Sequence, residues 1–216
     1  MKSIFSPISQ QIELPLQLVI YHKQFTFIDL FAGIGGFRIA LDKLGGQCLG
    51  YSEIDKQAIT VYQQNFISYF NKHKIELGDI TNISELPPNV DIIVGGVPCQ
   101  PWSVAGRLRG FEDKRGKLWF DVIRLVNKNQ PKGFIFENVS GLASPKNRDN
   151  LELILNELAN IGYCVKWKVL NAYDFGLPQN RDRIFIVGIR RDIERCQEYK
   201  FPQPLNIHPK VLDILD

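Results

Sequence analysis

Apolar runs alternate along most of this chain with stretches whose apolar positions recur at helical spacing. Phe25 to Leu30, Cys48 to Ser52, Val90 to Val94, Gly133 to Phe136, Val165 to Leu170 and Ile184 to Ile189 are nearly continuous in apolar residues. Strands buried on both faces have that composition, so the runs predict parallel strands covered on either side. Lys74 to Leu77 is a weaker strand candidate. Helices are predicted over Phe37 to Leu44, Lys56 to Phe70, Gly116 to Lys128 and Asp149 to Ile161. The last carries Leu151, Ile154, Leu155 and Leu158 on one face and stops before Gly162, a residue suited to the left-handed turn that ends many helices. Strand and helix in alternation predict an α/β fold, a doubly wound, mostly parallel sheet with helices on both faces. Residues 25–200 are expected to form that domain. Residues 1–24 are expected to be an N-terminal extension and 201–216, with Pro202, Pro204 and Pro209, an exit segment.

Composition narrows the class without naming an activity. The chain has 216 residues and a hydrophobic content of 44%, values of a soluble globular protein that buries about 70% of its unfolded surface. No apolar stretch approaches the ~20 residues that cross a bilayer. Gln11 to Ile20 is broken by Glu13, Pro15 and Gln17, unlike a secretory leader. No membrane partner is expected, and a cytoplasmic location is. The four cysteines, at 48, 99, 164 and 196, form no C-x-x-C pair and show no metal-ligand spacing. Free thiols in a reducing compartment are the simplest expectation. A net charge of +3 does not by itself argue for a nucleic-acid partner. Its distribution says more: Arg107, Arg109, Lys114, Arg115 and Lys117 crowd one segment, and Arg181, Arg183, Arg190 and Arg191 another. Such clusters neutralise phosphates or simply face water, and both readings stay open.

Candidate chemistry gathers at the strand ends, where open α/β sheets bind ligands. The first strand runs into Phe31-Ala32-Gly33-Ile34-Gly35-Gly36-Phe37 and then a helix. Gly33, Gly35 and Gly36 let the backbone come close to a ligand. Arg38, however, stands where the dinucleotide-binding fingerprint has its third glycine. Glu53 ends the second strand, where a carboxylate reaches ribose hydroxyls in this fold. Asp79 and Ile80 follow the weak third strand, where an Asp accepts from an adenine amine. Together they suggest an adenosyl ligand without a pyrophosphate, against the plain alternative of ordinary turn chemistry at each position. Pro98-Cys99-Gln100-Pro101 follows the run that ends at Val94. Two prolines stiffen that loop around a thiol, which reads either as a nucleophile or as a buried structural cysteine. Glu137 lies behind Phe134, Ile135 and Phe136, where partial desolvation raises a carboxyl pKa and lets it donate a proton near neutrality. Cys99 and Glu137 are thus a candidate nucleophile and acid facing one pocket.

Asp29-Leu30-Phe31-Ala32-Gly33-Ile34-Gly35-Gly36, Pro98-Cys99-Gln100, Glu137-Asn138-Val139 and Gln179-Asn180-Arg181-Asp182-Arg183 occur in the order seen in DNA cytosine-C5 methyltransferases. Over residues 25–205 the chain resembles that family. The resemblance implies a Rossmann-like methyltransferase fold with S-adenosyl-L-methionine as methyl donor over the glycine turn. It places Glu53 on the ribose, Asp79 and Ile80 at the adenine, and Phe31, Pro98 and Leu118 along the adenosyl pocket. It also implies that Cys99 attacks C6 of cytosine, that Glu137 protonates N3, and that Arg181 and Arg183 hold the base and its phosphate. Double-stranded DNA is then the partner, with the target base flipped out, because a thiol cannot reach C6 of a stacked base. Ser103 to Lys117, with Gly106 and Gly110 as hinges, resembles the family's mobile lid.

Members of the family continue into a target-recognition region and a segment that closes the cofactor pocket, and neither is recognisable up to Asp216. The chain is therefore expected to be a subunit of a split enzyme, with a truncated chain or a gene fragment as alternatives. A second polypeptide supplying recognition and pocket closure is expected with it. A tRNA cytosine methyltransferase shares the same motifs. A catalytically silent interaction module would keep the fold without the chemistry, and the presence of both Cys99 and Glu137 argues against it. The missing glycine at 38 argues against a nicotinamide-dependent dehydrogenase.

Overall fold

Each apolar run becomes a strand of one six-stranded sheet. The computed structural model describes residues 25–66, 76–98, 117–205, 207 and 210. The strands are β1 (Thr26–Leu30), β2 (Gln47–Ser52), β3 (Ile92–Gly96), β4 (Gly133–Val139), β5 (Tyr163–Asn171) and β6 (Asp182–Arg190), in the spatial order β2-β1-β3-β4-β6-β5. β1 pairs in parallel with β2 and β3, and β3 with β4. β6 runs antiparallel to both β4 and β5, so the sheet is mostly parallel with one reversed strand. The connection 172–181 explains the reversal: it is a short turn through Ala172–Phe175 and Gly176 (φ 92°), too short for the crossover a parallel neighbour needs. The weak candidate at Lys74 to Leu77 contributes, in its described part, a single parallel bridge from Glu76 to Tyr51.

Helices cover both faces, as a doubly wound sheet requires. They are α1 (Gly36–Lys43), α2 (Lys56–Asn65), α3 (Leu118–Asn129) and α4 (Arg148–Asn160). On one face, Trp119, Val122 and Leu125 of α3 and Leu151, Ile154 and Leu158 of α4 pack on Ile28, Leu30, Ile93, Phe134, Phe136, Ile184 and Ile186. On the other, Leu41 and Tyr62 pack on Phe27, Tyr51 and Val94. The helix ends follow local chemistry. Asp55 caps α2 by accepting from the backbone N–H of Gln57 and Ala58 at 2.8 and 3.0 Å. Past α4, Gly162 takes φ 103°, the left-handed conformation expected there.

Arg38 shows what replaces the third glycine. It is buried on α1, with Nε 2.9 Å from Asp42 Oδ2 and its guanidinium 4.6 Å from the Phe66 ring centroid. A cation thus fills the space between helix and sheet where a dinucleotide-binding unit needs close approach. Burial pushes the nearby Asp29 carboxyl well above the usual carboxylate range, and the Arg38 charge opposes that shift.

One expectation fails. Cys164 on β5 and Cys196, with Cα atoms 5.8 Å apart, form a disulfide rather than two free thiols. The chain brings residue 196 back along the edge strand, a proximity that the separation of the two residues in sequence conceals. Cys48 is buried and stays a thiol. Among the described residues no helix is long and apolar enough to cross a membrane.

Candidate active site

The carboxyl ends of β1, β2 and β3 and the start of α3 enclose a cavity of about 330 Å³. Phe31, Glu53, Asp79, Ile80, Pro98 and Leu118, six of the expected cofactor residues, line it. Ser52, Ile54, Thr81 and Gly96 line it too. Sequence reasoning missed these four because none carries a diagnostic group; adjacency to Glu53 and Asp79 is the one signal that points to three of them. Gly33, Gly35 and Gly36 form the turn beside the cavity without lining it.

The turn is built around backbone conformations that side chains resist. Gly33 has φ 55° and Gly35 φ 97°, and a Cβ on Gly35 would collide with the Phe66 ring. Phe31, a bulky residue at φ 52°, occupies the left-handed region that such residues rarely adopt. Strain of this kind persists where the surroundings hold it, often at ligand sites. Glu53 does part of the holding. Its Oε2 accepts from Gly33 N–H at 2.8 Å, and its Oε1 from Ile54 and Asp55 N–H at 2.7 and 2.9 Å. One carboxylate thereby joins the turn after β1 to the end of β2. Asp79 Oδ1 accepts from the backbone N–H and hydroxyl of Thr81 at 2.9 and 2.8 Å, fixing the short helix Ile80–Asn82 at the cavity wall.

Across Gly96 lies the second half of the site. Glu137 lies near the carboxyl end of β4 beside β3, where Val97 N–H donates to its carbonyl at 3.1 Å. A Cβ on Gly96 would lie 3.5 Å from Glu137 Oε2, so the same small residue borders both the cavity and the carboxyl. Arg183 Nε sits 2.6 Å from Glu137 Oε1. Burial raises the pKa of Glu137, and the charges of Arg183 and Arg181 work against that rise. Glu137, Arg181 and Arg183 are thus brought together. Cys99 and the segment 103–116 lie outside the described residues.

Two aliphatic side chains stand exposed close to the cavity. Ile34 is 59% exposed and Ile54 70%, and the Glu53 carboxylate lies between their segments, bonded to Gly33 and Ile54 N–H.

Known proteins resemble this chain in fold and in sequence. The crystal structure of a prophage-encoded DNA modification methyltransferase from E. coli superposes with a TM-score of 0.66 at 27% identity, over 88% of this chain and 53% of that one. The Spodoptera frugiperda DNMT2 structure, at 23% identity and TM-score 0.62, shares the fold over 87% of this chain. Type II methyltransferase M.HgiCII of Herpetosiphon aurantiacus is 54% identical over 194 residues, covering 90% of this chain and 44% of the relative. M.HhaI of Haemophilus parahaemolyticus is 44% identical over 91% of this chain and 59% of its own length. The chain therefore spans about half the length of these relatives. A profile of C-5 cytosine-specific DNA methylases matches residues 25–216, and the chain belongs to that family.

Proposed function

We propose that this chain is the catalytic portion of a cytoplasmic DNA cytosine-5 methyltransferase that modifies a flipped cytosine with S-adenosylmethionine as donor. The observation that carries this reading is the juxtaposition across Gly96: a carboxyl with a raised pKa, paired with Arg183, beside a cavity walled by acids and apolar side chains. The cavity suits the donor. Its volume falls within the ~300–1,000 Å³ of small-molecule sites, Glu53 and Asp79 offer acceptors for hydroxyl and amine groups, and Phe31, Ile80 and Leu118 offer apolar contact to a purine ring. When bound, S-adenosylmethionine supplies an electrophilic methyl group.

The chain's own residues prepare and restore the base. C5 of cytosine is a poor nucleophile until electron density is pushed onto it. Cys99, as thiolate, forms a bond to C6 while Glu137 delivers its proton to N3, which makes C5 electron-rich. Once C5 carries the methyl group, a base removes the C5 proton and the Cys99 sulfur departs with its electron pair. N3 returns its proton to Glu137 and the ring is aromatic again. Arg181 and Arg183 hold the base and its phosphate, and Arg183 also orients Glu137 through their ion pair.

The exposed Ile34 and Ile54 support a partner segment, on a second polypeptide, that closes the pocket and brings the DNA-reading elements. Assaying the purified chain on cytosine-containing duplex DNA and on tRNA, with and without the portion of M.HgiCII that this chain does not match, tests both parts. Methylated cytosine in duplex DNA is expected only in the complemented reaction. Full methylation by the isolated chain overturns the need for a partner, and tRNA as the sole substrate overturns the DNA reading.

Glu53 offers a separate test of the cofactor half. A glutamine there keeps one carbonyl oxygen for the Gly33, Ile54 and Asp55 N–H groups that the carboxylate satisfies together, and it removes the charge offered to a ribose. Glu53→Gln is expected to weaken S-adenosylmethionine binding by about ten- to a hundredfold, the cost of a charge-assisted hydrogen bond. Calorimetry that finds unchanged affinity in the folded variant removes Glu53 from the cofactor site.

A further inference from the structure

We infer that Asn171 is a positioning residue whose side-chain amide holds the turn that brings Arg181 and Arg183 to Glu137. What the arginines do for catalysis rests on the proposed function; how they are held does not. Asn171 is the last residue of β5 and pairs with Asp182, the first of β6. Its Oδ1 accepts from the backbone N–H of Tyr173 at 2.9 Å and of Arg181 at 3.3 Å. Its Nδ2 donates to Asn180 Oδ1 at 2.6 Å and to Asp182 Oδ1 at 2.8 Å. An amide has two donor hydrogens and two acceptor lone pairs, so this one is fully used, and every bond closes on the same turn. The backbone adds Ala172 N–H to Arg181 C=O at 3.1 Å.

The contacts continue without a gap to the catalytic carboxyl. Arg183 Nη1 donates to the Asp182 carbonyl at 2.7 Å, and Arg183 Nε meets Glu137 Oε1 at 2.6 Å. Asn180, Arg181 and Asp182 are exposed, so packing does not fix this end of the turn. Hydrogen bonds from one side chain to several partners are what such a turn has in place of packing. Alanine at 171 removes all the side-chain bonds. Aspartate alone would set two carboxylates facing each other. The double swap N171D/D182N keeps an acceptor for the Tyr173 and Arg181 N–H groups and restores the other two contacts with reversed polarity, because the amide introduced at position 182 donates and the Asn180 amide can rotate to donate as well. Neither N171A nor the double swap changes the net charge of the turn.

The test reads Glu137 directly, by carbon-detected NMR titration of its side-chain carboxyl in the full chain. In N171A, Arg183 and Arg181 are less firmly placed to lower the Glu137 pKa while burial from β3 and β4 remains, so the midpoint is expected to rise by about half to one pH unit. In N171D/D182N it is expected to stay at the wild-type value. In the complemented enzyme, N171A is expected to lower kcat about ten- to a hundredfold. Affinity for S-adenosylmethionine should not change, because no residue of the turn lines the cavity. An unshifted Glu137 midpoint in N171A, or a double swap that shifts it as far as alanine does, overturns the inference. Failure of the wild-type protein to methylate any substrate would overturn the proposed function and leave the titration result standing.

Discussion

Replacing Cys99 with alanine is expected to abolish methyl transfer while leaving S-adenosylmethionine binding intact. C6 of cytosine must be attacked for C5 to become nucleophilic, and in the proposed reaction the thiolate at 99 is the attacking group. Loss of on the order of 10⁴-fold or more is expected, as when a covalent nucleophile is removed elsewhere. Binding should survive because the polar contacts proposed for the cofactor come from Glu53 and Asp79, which line the cavity from other segments. A duplex carrying 5-fluorocytosine sharpens the test. Fluorine cannot leave C5 as a proton does, so wild-type protein should accumulate a covalent adduct and Cys99→Ala none. An alanine variant that still methylates at near the wild-type rate, or still traps, would sink the assignment.

Glu137→Gln is expected to cost about 10²- to 10⁴-fold in kcat, the range of general acid catalysis. Glutamine can hydrogen-bond N3 but cannot give it a proton, and it leaves Arg183 without its charged partner. The sign of the pH dependence follows from the environment. In the proposed reaction Glu137 acts as a donor, so only its protonated form is productive, and burial raises its pKa and enlarges that fraction. Activity should therefore fall as pH rises through the raised pKa, and the Glu137→Gln variant should lose that limb of the profile along with most of its rate. A variant that keeps both the rate and the limb would remove Glu137 from the acid role.

Much of the fold is legible in the apolar pattern because burial on both faces of a sheet leaves long apolar runs. Each predicted run falls on a strand, and the glycine turn, Glu53, Asp79 and Glu137 all fall at the same end of the sheet. Strand direction is less legible. Ile184 to Ile189 is as apolar as the parallel strands because β6 is just as enclosed, between β4 and β5, and enclosure carries no direction. The brevity of 172–181 was the available sign. Pairing of Cys164 with Cys196 depends on how the chain returns along β5, a tertiary outcome without a local signature. Gly96 and Asn171 escaped notice for opposite reasons. Gly96 matters for the side chain it lacks, and Asn171 for contacts that exist only once β5 and β6 have paired.

The pairing of β4 with β6 sets Glu137 opposite Phe185 and Val139 opposite Arg183, which makes Glu137 and Arg183 diagonal neighbours on one face. Phe136, Ile184 and Ile186 point to the other face and are almost wholly buried. A slip of one residue would drive Arg183 into that oily layer and push Ile184 into the cleft. The ion pair is partly wet and too weak to enforce the strand register; the isoleucines behind the sheet do that for it. The strand register that sets these groups side by side is in this sense inherited from assembly, with no half-slipped folded form in between. Damage to this layer therefore lowers the number of competent molecules and leaves each survivor as able as before.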